Sequence, residues 1–309
     1  MLPAAQSLAD LILAFRVGSQ ISRPLLDRDV FNERLTEMVA ALLRECDRQA
    51  LILIQSEGSR GLIAARSRNV ELAQHHFAAA QRLLETLPRS DEAHLCAESF
   101  VCAQQAYFVY TQNRYEEAMT LIERSFANDR LLELQYGLDI LLMHRIQLLN
   151  NLMRIEARRN NWREALTLGA ALLRYLEAPR DGVLGSLPPP WHQAWSDTLD
   201  HIPVELVRAS HAQIAREEVQ VFHRADTECK ATYEFLDALS LNTPELTNQI
   251  EGWINFQIVR LNPDRGDYFS AATSVLRRGR MPSEPLWLSV ANDVTRMLRP
   301  GLCIQATAF

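Results

Sequence analysis

The residues with which this chain could do chemistry are eight histidines, five cysteines and 38 aspartates and glutamates. A metal site needs ligands at fixed spacing, and neither His-Glu-x-x-His nor Cys-x-x-Cys occurs. His75 and His76 are adjacent, so on a helix they point about 100° apart and chelate one ion poorly. His211 and His223 stand apart from any cysteine or histidine cluster. Nucleophilic catalysis has no Gly-x-Ser-x-Gly elbow, and there is neither a phosphate-cradling Gly-x-x-x-x-Gly-Lys loop nor a Gly-x-Gly-x-x-Gly turn for a dinucleotide. Cys96 and His94 lie two residues apart, a spacing that turns them to different sides of a helix. The carboxylate pairs Glu116-Glu117 and Glu217-Glu218 read as solvated helix faces. Arg277-Arg278-Gly279-Arg280 is the one compact basic motif; the end of a helix accommodates it through the dipole, with phosphate binding as the alternative. The expectation is a protein with no catalytic residue, no metal and no cofactor.

The elements that carry these residues are helical. Eleven glycines in 309 residues are half of the roughly 22 that average usage gives, too few for the turns and bulges of an all-β fold. Ala, Leu, Arg, Glu and Gln, whose unbranched side chains lose little freedom in a helix, take their place. Net charge is −6, so no global basic field holds nucleic acid or an anionic membrane directly. Lys230 is the sole lysine, from codon bias or from avoidance of lysine modification. Five scattered cysteines fit reduced thiols better than a disulfide framework. The first residues lack a basic leader, and no apolar run reaches the roughly 18 residues that span a bilayer. A cytoplasmic protein is expected.

Apolar residues recur at helical spacing almost throughout. The pattern predicts helices over Ser7–Phe15, Val30–Cys46, Leu51–Ser67, Val70–Leu87, Glu92–Gln112, Tyr115–Asn128, Leu131–Arg159 and Trp162–Leu176, with Pro24 breaking the chain between the first two. Three segments within this stretch repeat: Arg68-Asn-Val-Glu-Leu-Ala-Gln-His-His-Phe77, Asn113-Arg-Tyr-Glu-Glu-Ala-Met-Thr-Leu-Ile122 and Asn160-Asn-Trp-Arg-Glu-Ala-Leu-Thr-Leu-Gly169. Each has a polar turn, a large residue (Val70, Tyr115, Trp162) and, three residues on, an alanine (Ala73, Ala118, Ala165). The large residue anchors the start of a helix, and the alanine lets that helix approach an antiparallel partner closely.

The pattern resembles the tetratricopeptide repeat. Gly61, Ala73, Phe77 and Ala80 match it in the first copy, Ala106, Tyr115, Ala118 and Ile122 in the second, and Trp162 and Ala165 in the third, where Met153 and Gly169 depart from it. The alanines recur after 45 and then 47 residues, against about 34 in the usual repeat, so the helices must be one to two turns longer. Gly266-Asp-Tyr-Phe-Ser-Ala271 is a weaker fourth echo whose first helix is compromised by Pro263. The resemblance implies an all-α fold of antiparallel helix pairs stacked as a right-handed superhelix.

Three regions follow: repeats over 1–178, a Pro/Gly-rich loop over 179–198, and a helical region over 199–309 that continues or caps the array. In the loop, Pro188-Pro-Pro190 cannot continue a helix, and Trp191 and Trp195 tie it to its surroundings. Beyond it Pro203–Leu241, as one helix or a broken pair, then Pro244–Leu261, Tyr268–Arg278 and Pro285–Leu298 read as helices, with each proline suiting a first turn. In a superhelix the first helix of each pair lines the concave side: Gln55 and Leu62, then Phe100, Ala103, Tyr107 and Tyr110, then Gln147, Asn150, Arg154 and Arg158. Asparagine can bond an extended peptide backbone, arginine can fork onto a carboxylate, and tyrosines add rigid contact area. The expected function is a non-catalytic scaffold (adaptor, chaperone or peptide-sensing regulator) binding a protein or peptide through Tyr107, Tyr110, Asn150, Arg154 and Arg158. The alternatives are an enzyme or enzyme subunit with a site near Trp191, His192 and Trp195, or a structural subunit of a larger assembly.

Overall fold

The computed structural model describes residues 8, 12, 29–86, 89–179, 184, 187–192, 195–225, 229–240, 249–279 and 284–298. All regular structure among them is helical: α1 (Val30–Leu42), α2 (Glu45–Arg66), α3 (Val70–Thr86), α4 (Asp91–Thr111), α5 (Tyr115–Tyr136), α6 (Leu141–Arg158), α7 (Trp162–Glu177), α8 (Val204–Ala225), α9 (Cys229–Leu239), α10 (Gln249–Leu261), α11 (Tyr268–Arg277) and α12 (Glu284–Leu298), with a 3-10 turn at Pro263–Arg265. The chain forms two compact units, one of residues 29–161 with 184–207, the other of residues 1–28, 162–183 and 208–309. Apart from Leu8 and Ile12, the predicted helix at Ser7–Phe15 lies outside the described residues, as do Pro24, Gly182, Gly185, Pro244, Arg280 and the tail 301–309.

In the first unit the repeated turns have one geometry. Arg68, Asn113 and Asn160 each adopt a left-handed backbone, with φ of 59°, 61° and 64°. The next N–H reaches back to the carbonyl five residues earlier: Asn69 to Ala64, Arg114 to Val109 and Asn161 to Glu156, at 2.9, 3.1 and 2.9 Å. This closure satisfies carbonyls that a helix end leaves orphaned and reverses the chain in three residues. Val70, Tyr115 and Trp162 then begin the next helix, and Ala73, Ala118 and Ala165 are fully buried. At Gly61 α2 approaches α3 closely, for a Cβ there would lie 3.0 Å from the Phe77 ring.

Two boundaries differ from the sequence expectation. The helices expected over Val30–Cys46 and Leu51–Ser67 are α1 and α2, which are separated at Leu43 and Arg44, both extended, rather than at 47–50. A break near 128–131 is absent; α5 runs on to Tyr136 and stops at Gly137, whose φ of 71° supplies the left-handed cap. Asn128 and Asp129, where the break was expected, are buried within α5: Asn128 donates to Glu98 of α4 at 2.7 Å, and Asp129 lies 2.7 Å from His144. Trp191 and Trp195, which precede α8, are tied to the first unit: Trp191 meets Phe126 edge-on at 5.1 Å, and the fully buried Arg145 of α6 lies 4.5 Å from the centre of the Trp195 ring. Arg145 also pairs with Glu133 at 2.6 Å.

The second unit gathers around a polar network within its core. Arg174 of α7 pairs with Glu251 of α10 and donates to the Leu239 carbonyl at 2.9 Å. Glu177 meets His211 Nε2 of α8 at 2.9 Å and accepts the Gln249 N–H at 2.6 Å. Trp162 lies edge-on to Phe235 at 5.3 Å, and Phe222 to Trp253 at 5.1 Å. At the fourth echo Asp267 caps α11 by accepting the Ser270 N–H, and Ala271 is buried. Within the region expected as one helix or a broken pair, α8 and α9 are helical, and residues 226–228 between them lie outside the described residues. Glu218 corrects the expectation of a solvated Glu217-Glu218 face: it is completely buried, because α8 turns that side toward the core alongside Phe222 one turn on.

Candidate functional site

Three helices of the first unit, α2, α4 and α6, run parallel and are joined by side-chain contacts near both ends. Near their starts the Ser90 N–H of the α4 cap donates to Asp47 of α2 at 3.0 Å, and Phe100 of α4 stacks on His144 of α6 at 4.8 Å. Near their ends Arg66 of α2 lies 5.9 Å from the Tyr107 ring, and Arg158 of α6 donates to the Tyr110 hydroxyl at 3.3 Å. The parallel order follows from the turns, because each short reversal returns the chain antiparallel and the next first helix starts at the same end.

Four of the five predicted site residues share the face these helices present. Tyr107 is 37% exposed and its ring lies 6.3 Å from that of Tyr110. Arg158 is exposed, and Arg154, one turn before it, donates to Asn151 at 3.4 Å. Neither Arg66 nor Arg158 has a carboxylate partner among the described residues. Asn150 is not on this face: it is 1% exposed, and neither atom of its amide finds a hydrogen-bond partner. Asn151 takes its place, its Oδ1 accepting from both Gln147 and Arg154. A shift of one residue rotates a side chain by about 100°, and the stripe His144, Gln147, Asn151, Arg154, Arg158 is the one that repeats at three and four residues.

At the other end of the face, His144 is held from behind. Its Nδ1 lies 2.7 Å from Oδ2 of Asp129, a fully buried residue whose Oδ1 accepts the Ser99 hydroxyl. These are the residue types of a nucleophilic triad in the wrong order. A base must lie between carboxylate and hydroxyl to take the hydroxyl proton, whereas here Asp129 lies between Ser99 and His144. The arrangement fixes the imidazole plane and activates no serine. Sequence reasoning missed His144 and also Ile52, Ile63 and Arg66 of α2. The aliphatic pair is 57% and 63% exposed, and its signal was the eleven-residue spacing that returns a helix to the same side.

Other candidate chemistry is dispersed. The Cys96 thiol is pushed up to about 12 by burial, so it is no thiolate nucleophile, and its neighbour His94 bonds Arg89 instead. His76 is bonded to Glu57 at 2.7 Å. Among the described residues no three His, Cys, Asp or Glu side chains are placed to hold a metal ion. Trp191 and Trp195 pack on Phe126, as cores do, and His192 beside them is half-buried. Arg277 and Arg278 end α11, with Gly279 left-handed after them, as the helix-end reasoning expected. Between α3, α4 and the start of α5 lies a half-open groove of about 310 Å³, where Gln74, Gln81, Gln105 and Gln112 rim Phe77 and Phe108. No described helix is long and apolar enough to cross a membrane. Comparison with protein-family models, with curated proteins and with solved structures finds no match.

Proposed function

We propose that the chain is a non-catalytic scaffold of tetratricopeptide-like helix pairs, in which the α2–α4–α6 face is the concave binding surface for a carboxylate-bearing segment of a partner protein. The observation that carries this is the pairing of two adjacent tyrosine rings, Tyr107 exposed and Tyr110 half-buried, with two arginines, Arg66 and Arg158, that have no carboxylate partner among the described residues. A guanidinium on such a surface is available for a forked bond to a carboxylate, and the tyrosines offer rigid area at little entropic cost. The repeated turn at Arg68, Asn113 and Asn160 supports the repeat architecture. Residues of the inward strip, Ile52, Ile63, Tyr107, Tyr110 and Arg158, would contact the partner, with Arg154 oriented by Asn151.

The test compares immobilised full-length wild type with a Tyr107→Ala/Arg158→Glu variant of matched helicity, each exposed to cell extract and eluted for mass spectrometry. Loss of a captured partner from the variant is the expected result. Retention of the same set by both proteins overturns the role of this face and turns attention to the ends of the array.

A further inference from the structure

Helix α1 is the piece of the first unit that the repeat pattern does not account for. Its apolar residues Phe31, Leu35, Met38, Val39 and Leu42 fall at spacings of three and four, with Leu35 and Val39 buried and Phe31 half-buried, while Glu33, Arg34 and Glu37 face solvent. Only Leu43 and Arg44 separate it from α2, and Arg48 of α2 donates to the Ala40 carbonyl at 2.8 Å, fixing its C-terminal end. Its other end is far along the face: the Phe31 ring lies 6.2 Å from that of His144 on α6.

Its end contacts make α1 a helix that runs from α2 to α6. Thirteen residues at about 1.5 Å each give it a length of roughly 20 Å, between Arg48 of α2 at one end and the His144 ring of α6 at the other. The aromatic seat at the far end is held by contacts outside α1. His144 stacks on Phe100, and the buried Asp129 fixes its ring. An aromatic anchor entering a slot of rigid rings, followed by aliphatic residues one and two turns on, is how an amphipathic helix is recognised in a groove.

We infer that the seat formed by Phe100 and His144 is a docking site for an amphipathic helix bearing an aromatic residue followed by aliphatic residues four and eight positions later, and that α1, with Phe31, Leu35 and Val39, occupies it as a tethered, displaceable stand-in. The inference rests on the partner-binding role proposed above and names the partner's chemistry: a helix of that pattern from another chain competes with α1 for the N-terminal half of the face, next to the tyrosine–arginine half. Tethering raises the local concentration of α1 to the millimolar range, so a competing helix reaches the seat only in the fraction of molecules where α1 has left it.

The experiment uses a fluorescent peptide of residues 29–43 added to the full-length chain and read by anisotropy. A Phe31→Ala/Leu35→Asp variant, with its own α1 unseated, is expected to bind the peptide at least tenfold more tightly than wild type, and a further Phe100→Asp change is expected to abolish binding. A folded variant that leaves the peptide unbound, or binds it no better than wild type does, overturns the inference. Should the variant fail to fold, hydrogen exchange on wild type decides: amides of α1 exchanging at least a hundredfold faster than those of α4 and α6 support displacement, and equal protection overturns it. None of these readouts needs an outside partner, so the seat can fail while capture still depends on Tyr107 and Arg158, and the reverse.

Discussion

Glu218 makes stability fall as pH rises, the opposite of what a paired carboxylate does. It is completely buried, neither oxygen has a hydrogen-bond partner, and burial raises its affinity for a proton well above the ordinary 4.5. The positive charge of Arg174 opposes this only in part, since its guanidinium is engaged by Glu251 and the Leu239 carbonyl. Native protein therefore keeps a proton that unfolded protein releases above pH 4.5. In that window the unfolded state binds one proton fewer, and unfolding free energy drops by up to about 1.4 kcal/mol per pH unit until the buried acid ionises. Glu218→Gln preserves size and removes the titration, while contributions from every other group are common to both proteins and cancel in the difference. Urea unfolding followed by far-UV circular dichroism from pH 5 to 8.5 is the assay. The two proteins are expected to be closest in stability at pH 5, with the glutamine variant gaining steadily above it. Parallel profiles across the range would refute the argument, since they would mean that Glu218 is ionised or solvated in the folded chain.

Three further outcomes follow from packing. Gly61→Ala is expected to destabilise by about 1–3 kcal/mol, because its Cβ would press on the rigid Phe77 ring at 3.0 Å. Gly58→Ala meets only the movable end of Gln104 and gains up to about 1 kcal/mol of helix propensity; thermal melts of the two that agreed in sign would contradict this contrast. Arg68→Gly is expected to stabilise by about 1 kcal/mol by relieving a left-handed arginine, and Asn113→Gly by less, since asparagine tolerates that backbone; urea midpoints check the order. Arg145→Met removes a buried cation from Glu133 and Trp195 and is expected to lose about 3–5 kcal/mol, much of it regained when Glu133→Gln is added. A double-mutant cycle showing no coupling would argue against the pair.

Local information determined the helical character of this protein and the places where the chain reverses. The three turns were legible because their chemistry is confined to a few residues: a polar residue able to turn left-handed, a large residue that restarts the helix, and an alanine that ends up against a partner. Gly137 was missed because the break was expected at 128–131, where the polar Asn128 and Asp129 are in fact buried and held inside α5 by tertiary bonds to Glu98 and His144. The face was legible through Tyr107, Tyr110, Arg154 and Arg158, which periodicity places together. Choosing between Asn150 and Asn151 required the rotation of α6, which neighbours set. Only the tertiary structure brought Asp129 behind His144, carried Phe31 across to it, buried Glu218, and divided the compact units at Asn161–Trp162, inside the third copy of the repeat. The physical reason is range. Backbone propensity and hydrophobic period act over a few turns of one helix, whereas desolvation, ring stacking and unit boundaries depend on which helices end up side by side.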